Sequence, residues 1–273
     1  MSAEYSCACK GIRTCLLCED RKKNLINYSP SNLIKYTFCA TCGDRAWIVT
    51  DHSKHNQSEE ATDEYSPFIT IKGVYVAENS ITEAEENQLV NEIDQATWML
   101  SQSGRRKQDY GPKANFKKQK CKIGNFKGLP KYIKSILGDI KQKHSSILGD
   151  FIPVELCNLE YEPSRGSAID PHLDDMWLWG ERLVTINYLP TTILTLTKLD
   201  LPNVEVLVYM PPRSLLVLYD DARKVWMHSV KREDVMARRL ATTLRELTPI
   251  FMEGGDEYEP IGKQILQTAA NFV

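Results

Sequence analysis

The spacing of apolar and polar positions divides the chain into three stretches. Residues 1–49 are broken up by cysteines and end in an apolar run, Ala46-Trp47-Ile48-Val49. Residues 51–66 are polar and predict a linker. The run Phe68-Ile69-Thr70-Ile71-Lys72-Gly73-Val74-Tyr75-Val76 predicts a strand. Ser80 and Thr82 follow as N-cap candidates, each with a glutamate three residues on (Glu83 and Glu85), the pattern of a capping box. Ile81, Leu89 and Ile93 recur at helical spacing and predict an amphipathic helix to about Ala96. Residues 101–128 contain glycine and proline without a clear period, so irregular or short-stranded chain is expected there. Residues 130–147 read as another helix.

From residue 154 the pattern changes to short β runs with turns between them, at 154–161, 183–189, 193–197, 204–210, 214–219, 225–230 and 239–247. A last helix is expected over 260–272. Helices first, then many strands at short spacing, predict an α+β fold of jelly-roll type with flanking helices.

Composition excludes more than it selects. A chain of 273 residues can bury most of its apolar surface without disulfides. With 42% hydrophobic and 26% charged residues it is too apolar for a disordered protein. No apolar run approaches the ~18 residues of a membrane span, so no membrane partner is expected. The opening Met1-Ser2-Ala3-Glu4-Tyr5-Ser6-Cys7 has no basic or apolar signal region, and no secretory signal is expected. Charge is more informative. The formal net charge is −2, but residues 101–135 hold eleven basic side chains and one acid, Asp109, giving +10 there against −12 elsewhere.

Six of the eight cysteines lie in the first 42 residues. Cys7-x-Cys9-x5-Cys15-x2-Cys18 supplies four thiolates, and Cys39-x2-Cys42 two more. Without an export signal, such clustering points to metal or redox chemistry before disulfides. Cys-x2-Cys knuckles are common in structural zinc sites, so residues 1–50 are expected to form a small zinc-binding head. Which four cysteines would bind is left open, and free thiols are the alternative.

Pro171-His172-Leu173-Asp174 places a histidine and an aspartate two apart. At a strand end both point to one face and can hold one metal. Two histidines and one carboxylate form the open facial triad of non-haem Fe(II) oxygenases, and His228 is the only histidine downstream of His172. With 16 aspartates and five histidines, such a pair arises by chance about a quarter of the time, so alone it fits a surface histidine equally well. Eleven residues after His228 comes Arg239-Leu240-Ala241-Thr242-Thr243-Leu244-Arg245. Two arginines six apart share a face of a strand. A buried arginine needs an anion, and its planar fork suits a carboxylate. A dicarboxylate co-substrate beside an iron would supply one, whereas two exposed arginines on an edge strand would need none.

These residues resemble the pattern of the AlkB-type 2-oxoglutarate/Fe(II) dioxygenases: His-x-Asp, a distal histidine some fifty-odd residues on, then Arg-x5-Arg. Tyr161-Glu162-Pro163 with Gly166 resembles the family's lead-in to its His-x-Asp. Pro212-Arg213-Ser214-Leu215-Leu216-Val217-Leu218 and Arg223-x2-Trp226-x-His228 resemble its approach to the distal histidine. Arg105-Arg106-Lys107-Gln108-Asp109-Tyr110-Gly111 resembles a segment of its substrate-recognition region. The resemblance covers about residues 68–250, and the cysteine head narrows it to one animal branch of the family.

The resemblance implies a double-stranded β-helix (jelly-roll) dioxygenase core in a domain spanning 67–273, with 101–135 as its basic substrate-recognition region. It implies Fe(II), 2-oxoglutarate and O2 as cofactor and co-substrates, with His172, Asp174 and His228 as iron ligands. Arg239, helped by Tyr161, would bind the distal carboxylate of 2-oxoglutarate, and Arg245 would lie nearer its C1 end and the substrate. The family often carries an asparagine two residues before the tyrosine. Here Leu159 stands there and Asn158 is one residue earlier.

The implied reaction is oxidative removal of an N-methyl group, with loss of formaldehyde. The implied substrate is monomethyl-lysine on protein, with actin or an actomyosin-associated protein as partner. N6-methyladenine in DNA is the second reading, and the implied location is cytoplasmic and nuclear. Candidate substrate contacts are Arg105, Arg106, Lys107 and Tyr110, with Trp177 and Trp179 as pocket walls. Cations interleaved with aromatics fit nucleic acid and an acidic protein surface alike, and a solvated loop is the bland alternative. Two other classes remain. A zinc hydrolase could use the three ligands but has no use for the arginine pair, and a non-catalytic adaptor would not need the triad.

Overall fold

A computed structural model describes residues 15–16, 32–48 and 68–273. Cys7, Cys9, Cys18 and the predicted 51–66 linker lie outside these residues. The chain runs through β1 (Ile34–Phe38), β2 (Arg45–Trp47), β3 (Phe68–Thr70) and β4 (Val74–Ala77) into helix α1 (Glu83–Gln95). Then come β5 (Met99–Leu100), β6 (Arg106–Tyr110), the hairpin of β7 (Lys113–Asn115) and β8 (Lys120–Lys122), and helix α2 (Ile133–Lys143). The second half supplies β9 (Glu155–Tyr161), β10 (Ile169–His172), β11 (Trp179–Tyr188), β12 (Thr192–Lys198) and β13 (Leu201–Met210). It ends with β14 (Ser214–Leu218), β15 (Met227–Val230), β16 (Arg239–Leu247) and helix α3 (Lys263–Ala269).

Two seven-stranded sheets result. One has the order β10-β15-β12-β13-β1-β2-β3 and the other β4-β14-β11-β16-β9-β6-β5. Side chains alternate across each strand, and in the second sheet both faces are buried. Leu156, Val184, Ile186 and Leu240 pack against Leu89, Ile93, Ile133 and Ile136 of α1 and α2. Tyr161, Leu183, Leu216 and Leu218 pack against Leu196, Val206 and Val208 of the first sheet. That double burial explains why Ser214–Leu218 is buried at every position and reads as a continuous apolar run. The capping box at Thr82 and Glu85 is formed, with Glu85 accepting from the Thr82 amide at 2.6 Å and Thr82 Oγ1 accepting from the Glu85 amide at 3.2 Å.

The structure departs from the predicted elements in three places. The single strand expected over 68–76 is two strands in different sheets. They meet at Gly73, whose φ of +89° and close approach to the Tyr219 carbonyl leave no room for a Cβ. The helix expected over 130–147 breaks at His144, whose Nδ1 lies 2.9 Å from Tyr75 Oη. Four strands were not predicted, among them the two-residue β5. β1 and β2 join the first sheet, β1 in parallel with β13 through Ile34 opposite Val204, so residue 50 does not mark a break in the sheet. β10 carries Pro171, which argues against a strand but is tolerated at a sheet edge, where β10 lies.

Candidate active site

β10 is where the chemistry begins. It pairs antiparallel with β15, with a register shift before His172, and this places His172 directly opposite His228. The two imidazole centroids are 4.3 Å apart. His172 Nδ1 lies 2.8 Å from the Asp170 carbonyl, which turns Nε2 inward. Asp174 follows two residues later with Oδ1 3.6 Å from His172 Nε2. Ligand atoms of His172, Asp174 and His228 all lie within 4.8 Å of one another. Burial and the neighbouring His172 push the His228 imidazole down to about 3, so it is neutral and able to donate a lone pair at neutral pH. Burial opposes ionisation of Asp174, but Arg245 and the two histidines hold its carboxyl well below the usual range. Two imidazoles and one carboxylate suit a divalent metal with open positions.

The loop after Asp174 is held by Asp175 and Arg223. Asp175 Oδ1 accepts from the Trp177 and Leu178 amides at 3.0 and 2.9 Å. The buried Arg223 guanidinium donates to the carbonyls of Asp174, Asp175, Trp179 and Gly180 at 2.8–3.3 Å. These bonds fix the backbone that carries the carboxylate.

Behind the three groups a cavity opens between the sheets. Leu183, Leu194, Leu216 and Leu218 form apolar walls, with Tyr161 and Arg239 among the polar lining. Arg239 lies directly across from Tyr161 in the β9–β16 ladder, its guanidinium 4.7 Å from the ring centre. It is 4% exposed, and burial lowers its pKa. Its Nε donates to Asn187 Oδ1 at 3.1 Å, and Asn187 Nδ2 is anchored on the carbonyls of Pro190, Met210 and Pro211. Among the described residues no carboxylate pairs with Arg239. A buried, unpaired guanidinium in a cavity that also holds a metal-ligating set fits a carboxylate ligand.

Arg245 lines the same cavity but is paired twice. Its Nε donates to Asp174 Oδ2 and its Nη1 to Glu155 Oε2, both at 2.7 Å. Glu155, Asp109 and Cys157 form a second close cluster, in which the Cys157 thiol donates to Asp109 Oδ1 at 3.1 Å. Burial pushes that thiol well up.

The other predicted site residues scatter. On β6, Arg106 and Gln108 face the helices. Arg106 grips Glu160 with two bonds of 2.6 and 2.7 Å, and Arg165 and Arg238 bind the same carboxylate. Burial opposes it, yet these arginines hold the Glu160 carboxyl at about 2. Arg105 is buried, 5.8 Å from the Tyr161 ring. Lys107 pairs with Asp109 beside the Glu155 cluster. Tyr110 packs into the helix-side core, and Trp177 stacks edge-on against Phe251. Trp179 lies nearer the metal-ligating set, with the Arg245 guanidinium 5.9 Å from its ring centre and Phe116 of the Lys-rich hairpin 6.4 Å away. Leu159 lines the cavity, whereas Asn158 faces away and bonds Gln108, Tyr132 and Thr242. Asn187, Glu155, Asp109 and Arg223 had no assigned role from sequence, where a lone polar residue in an apolar strand was the one signal for Asn187 and Glu155.

No family model matches the chain. Curated relatives do, over nearly its whole length. The human protein named alpha-ketoglutarate-dependent dioxygenase alkB homolog 4 is 40% identical over 298 residues, covering 97% of this chain and 94% of its own. The mouse protein of the same name is 38% identical over 301 residues, covering 100% and 96%. A Caenorhabditis elegans protein named DNA N6-methyl adenine demethylase is 39% identical over 277 residues, covering 97% and 95%. Among solved structures, OsALKBH1 superposes with a TM-score of 0.49 at 11% identity, over 64% of this chain and 98% of that one. With full-length relatives at this identity, the chain belongs to the AlkB-type 2-oxoglutarate- and Fe(II)-dependent dioxygenases.

Proposed function

We propose that the chain is an oxidative N-demethylase acting on monomethyl-lysine of a protein, actin or an actomyosin-associated protein among the candidates. His172, Asp174 and His228 are the iron ligands in this reading, and Arg239 with Tyr161 holds the distal carboxylate of 2-oxoglutarate. The observation that carries the co-substrate assignment is Arg239 itself, a buried guanidinium without a carboxylate, aimed into the cavity beside the His-Asp-His set. Bound iron with 2-oxoglutarate and O2 supplies the oxidant that hydroxylates the N-methyl group, after which the product loses formaldehyde. The chain's own residues set the geometry. Asn187 turns Arg239, Arg223 fixes the Asp174 backbone, and the apolar walls exclude water.

N6-methyladenine in DNA is the second reading. The name of the worm relative favours it, as do the exposed lysines of the β7–β8 hairpin, with Phe116 against Trp179. Turnover on methyl-lysine peptides and methyladenine oligonucleotides of defined sequence, followed by formaldehyde release, separates the two. Release from the oligonucleotide alone would reject the lysine reading.

A structural zinc in the cysteine-rich region belongs to the same proposal. Cys39 and Cys42 sit on the turn between β1 and β2, the Cys42 amide donating to the Cys39 carbonyl at 3.2 Å. Burial and the adjacent Cys39 push the Cys42 thiol up. Elemental analysis of a Cys39→Ser, Cys42→Ser variant should show zinc lost and iron retained. Unchanged zinc would exclude these two as ligands.

A further inference from the structure

We propose that Glu155 is a positioning residue for the iron site: acting through Arg245, it decides which oxygen of Asp174 faces the metal. The inference rests on Asp174 being a metal ligand. Glu155 opens β9 and lies directly across from Arg245 on β16. The Arg245 guanidinium spans two carboxylates, with Nε on Asp174 Oδ2 and Nη1 on Glu155 Oε2. Asp174 Oδ1 is thereby left on the side of His172 Nε2, 3.6 Å away, where a metal would sit.

An arginine fork beside a lone carboxylate closes on both of its oxygens. Arg245 makes a single bond to Asp174, through Nε, because Glu155 on Nη1 fixes the tilt of the guanidinium and keeps Nη2, the arm that completes a side-on fork with Nε, off Oδ1. Without Glu155, the guanidinium would turn fully onto Asp174 and compete with the metal for Oδ1. Among the described residues no other carboxylate bonds Arg245. Asp109, the nearest candidate, is bound by Lys107 and by the Cys157 thiol. The fold also makes room for this side chain, since a Cβ on Gly111 would lie 2.5 Å from Glu155 Cγ. Gly111 closes the segment that begins at Arg105, so that glycine reaches the iron site through Glu155.

The test is metal affinity, measured with Co(II) alone on the full chain by calorimetry, alongside thermal melting. Glu155→Gln should weaken Co(II) binding by about ten-fold or more, the size seen when the partner of a metal ligand is lost, while the far-ultraviolet spectrum stays native. In an Arg245→Gln background the same substitution should change affinity by less than about two-fold, because no guanidinium remains to restrain. If Glu155→Gln does not fold, Glu155→Asp replaces it. One methylene shorter, it should still weaken Co(II) binding. Wild-type affinity in the folded Glu155 variant, or an equal loss with and without Arg245, would overturn the proposal. Asp174→Ala is the control: if it retains Co(II), the ligand assignment has failed rather than the role of Glu155.

Discussion

Arg239 and Arg245 stand six residues apart on one strand and line one cavity, yet their surroundings are opposite. Arg239 has a phenol ring, an amide oxygen and, among the described residues, no carboxylate. Arg245 has two carboxylates, one of them from the His-Asp-His set. Burial costs both, but among the described residues only Arg245 is compensated by carboxylates. Its pKa is held well above the ordinary arginine value by Asp174 and Glu155 despite burial, while that of Arg239 is lowered. A buried charge left uncompensated by the protein marks a place for a ligand. A compensated one marks a part of the scaffold that aims other groups.

The sharpest way to break this contrast is to remove the three proposed metal ligands that line the same cavity. His172→Ala, Asp174→Ala and His228→Ala should each abolish 2-oxoglutarate turnover with the fold intact. Full turnover by a His228 variant would sink the assignment. Next in size is Arg239→Ala, which should leave the bound carboxylate desolvated at a cost of roughly 2–5 kcal/mol. The 2-oxoglutarate requirement should then rise by ten-fold or far more, at about 1.4 kcal/mol per decade. Arg239→Lys should also impair binding, since it keeps the charge and loses the fork. Arg245→Ala should act differently, with formaldehyde falling more than succinate as decarboxylation uncouples from demethylation. Proportionate losses of both products would erase the distinction between the two arginines.

Away from the cavity, Glu160 sharpens the comparison as a fully compensated charge. Its pKa is depressed on folding, from an unperturbed 4.5 to about 2. Its stabilisation is therefore present above pH 4.5 and is lost as pH falls toward 2. Glu160→Gln should destabilise the protein by about 2–3 kcal/mol at neutral pH and flatten the stability curve in that acid window, read by urea melts at stepped pH. The smallest effect is expected at the hairpin. Neutralising Lys117, Lys118 and Lys120 should weaken binding of the macromolecular substrate and reduce its salt dependence. If that substrate is duplex DNA, the slope should fall by about one for each phosphate no longer neutralised.

The site was more legible in the sequence than its supports. Arg239 and Arg245 fall at an even spacing and strand geometry puts them on one face of β16, whereas Asp174 lies two residues past the end of β10 and reaches His172 through a loop that Arg223 holds. The partners of these residues are set by tertiary pairing. Glu155 faces Arg245 because β9 and β16 align in one register, and nothing local to Glu155 announces it. Charge was legible without its destination. Arg105 and Arg106 read as substrate contacts from a basic run, but Arg105 is buried and Arg106 is spent on Glu160. A one-residue shift decides the same question on β9, where Leu159 enters the cavity and Asn158 turns to the helices. The strands of the first 50 residues were missed because β1 and β2 are short, five and three residues, and their hairpin is anchored in the sheet by partners more than 150 and about 20 residues away, β13 and β3.

The central claim is that Arg239 awaits the co-substrate's carboxylate beside an iron held by His172, Asp174 and His228. Anaerobic titration with Fe(II) and 2-oxoglutarate tests it most directly, through the weak visible charge-transfer band that forms when the keto acid chelates iron. The band should saturate at one iron and one 2-oxoglutarate per chain. It should require far more 2-oxoglutarate in Arg239→Ala and be absent in Asp174→Ala. A band that saturates identically in wild type and Arg239→Ala, or no band in the wild-type protein, would contradict the account.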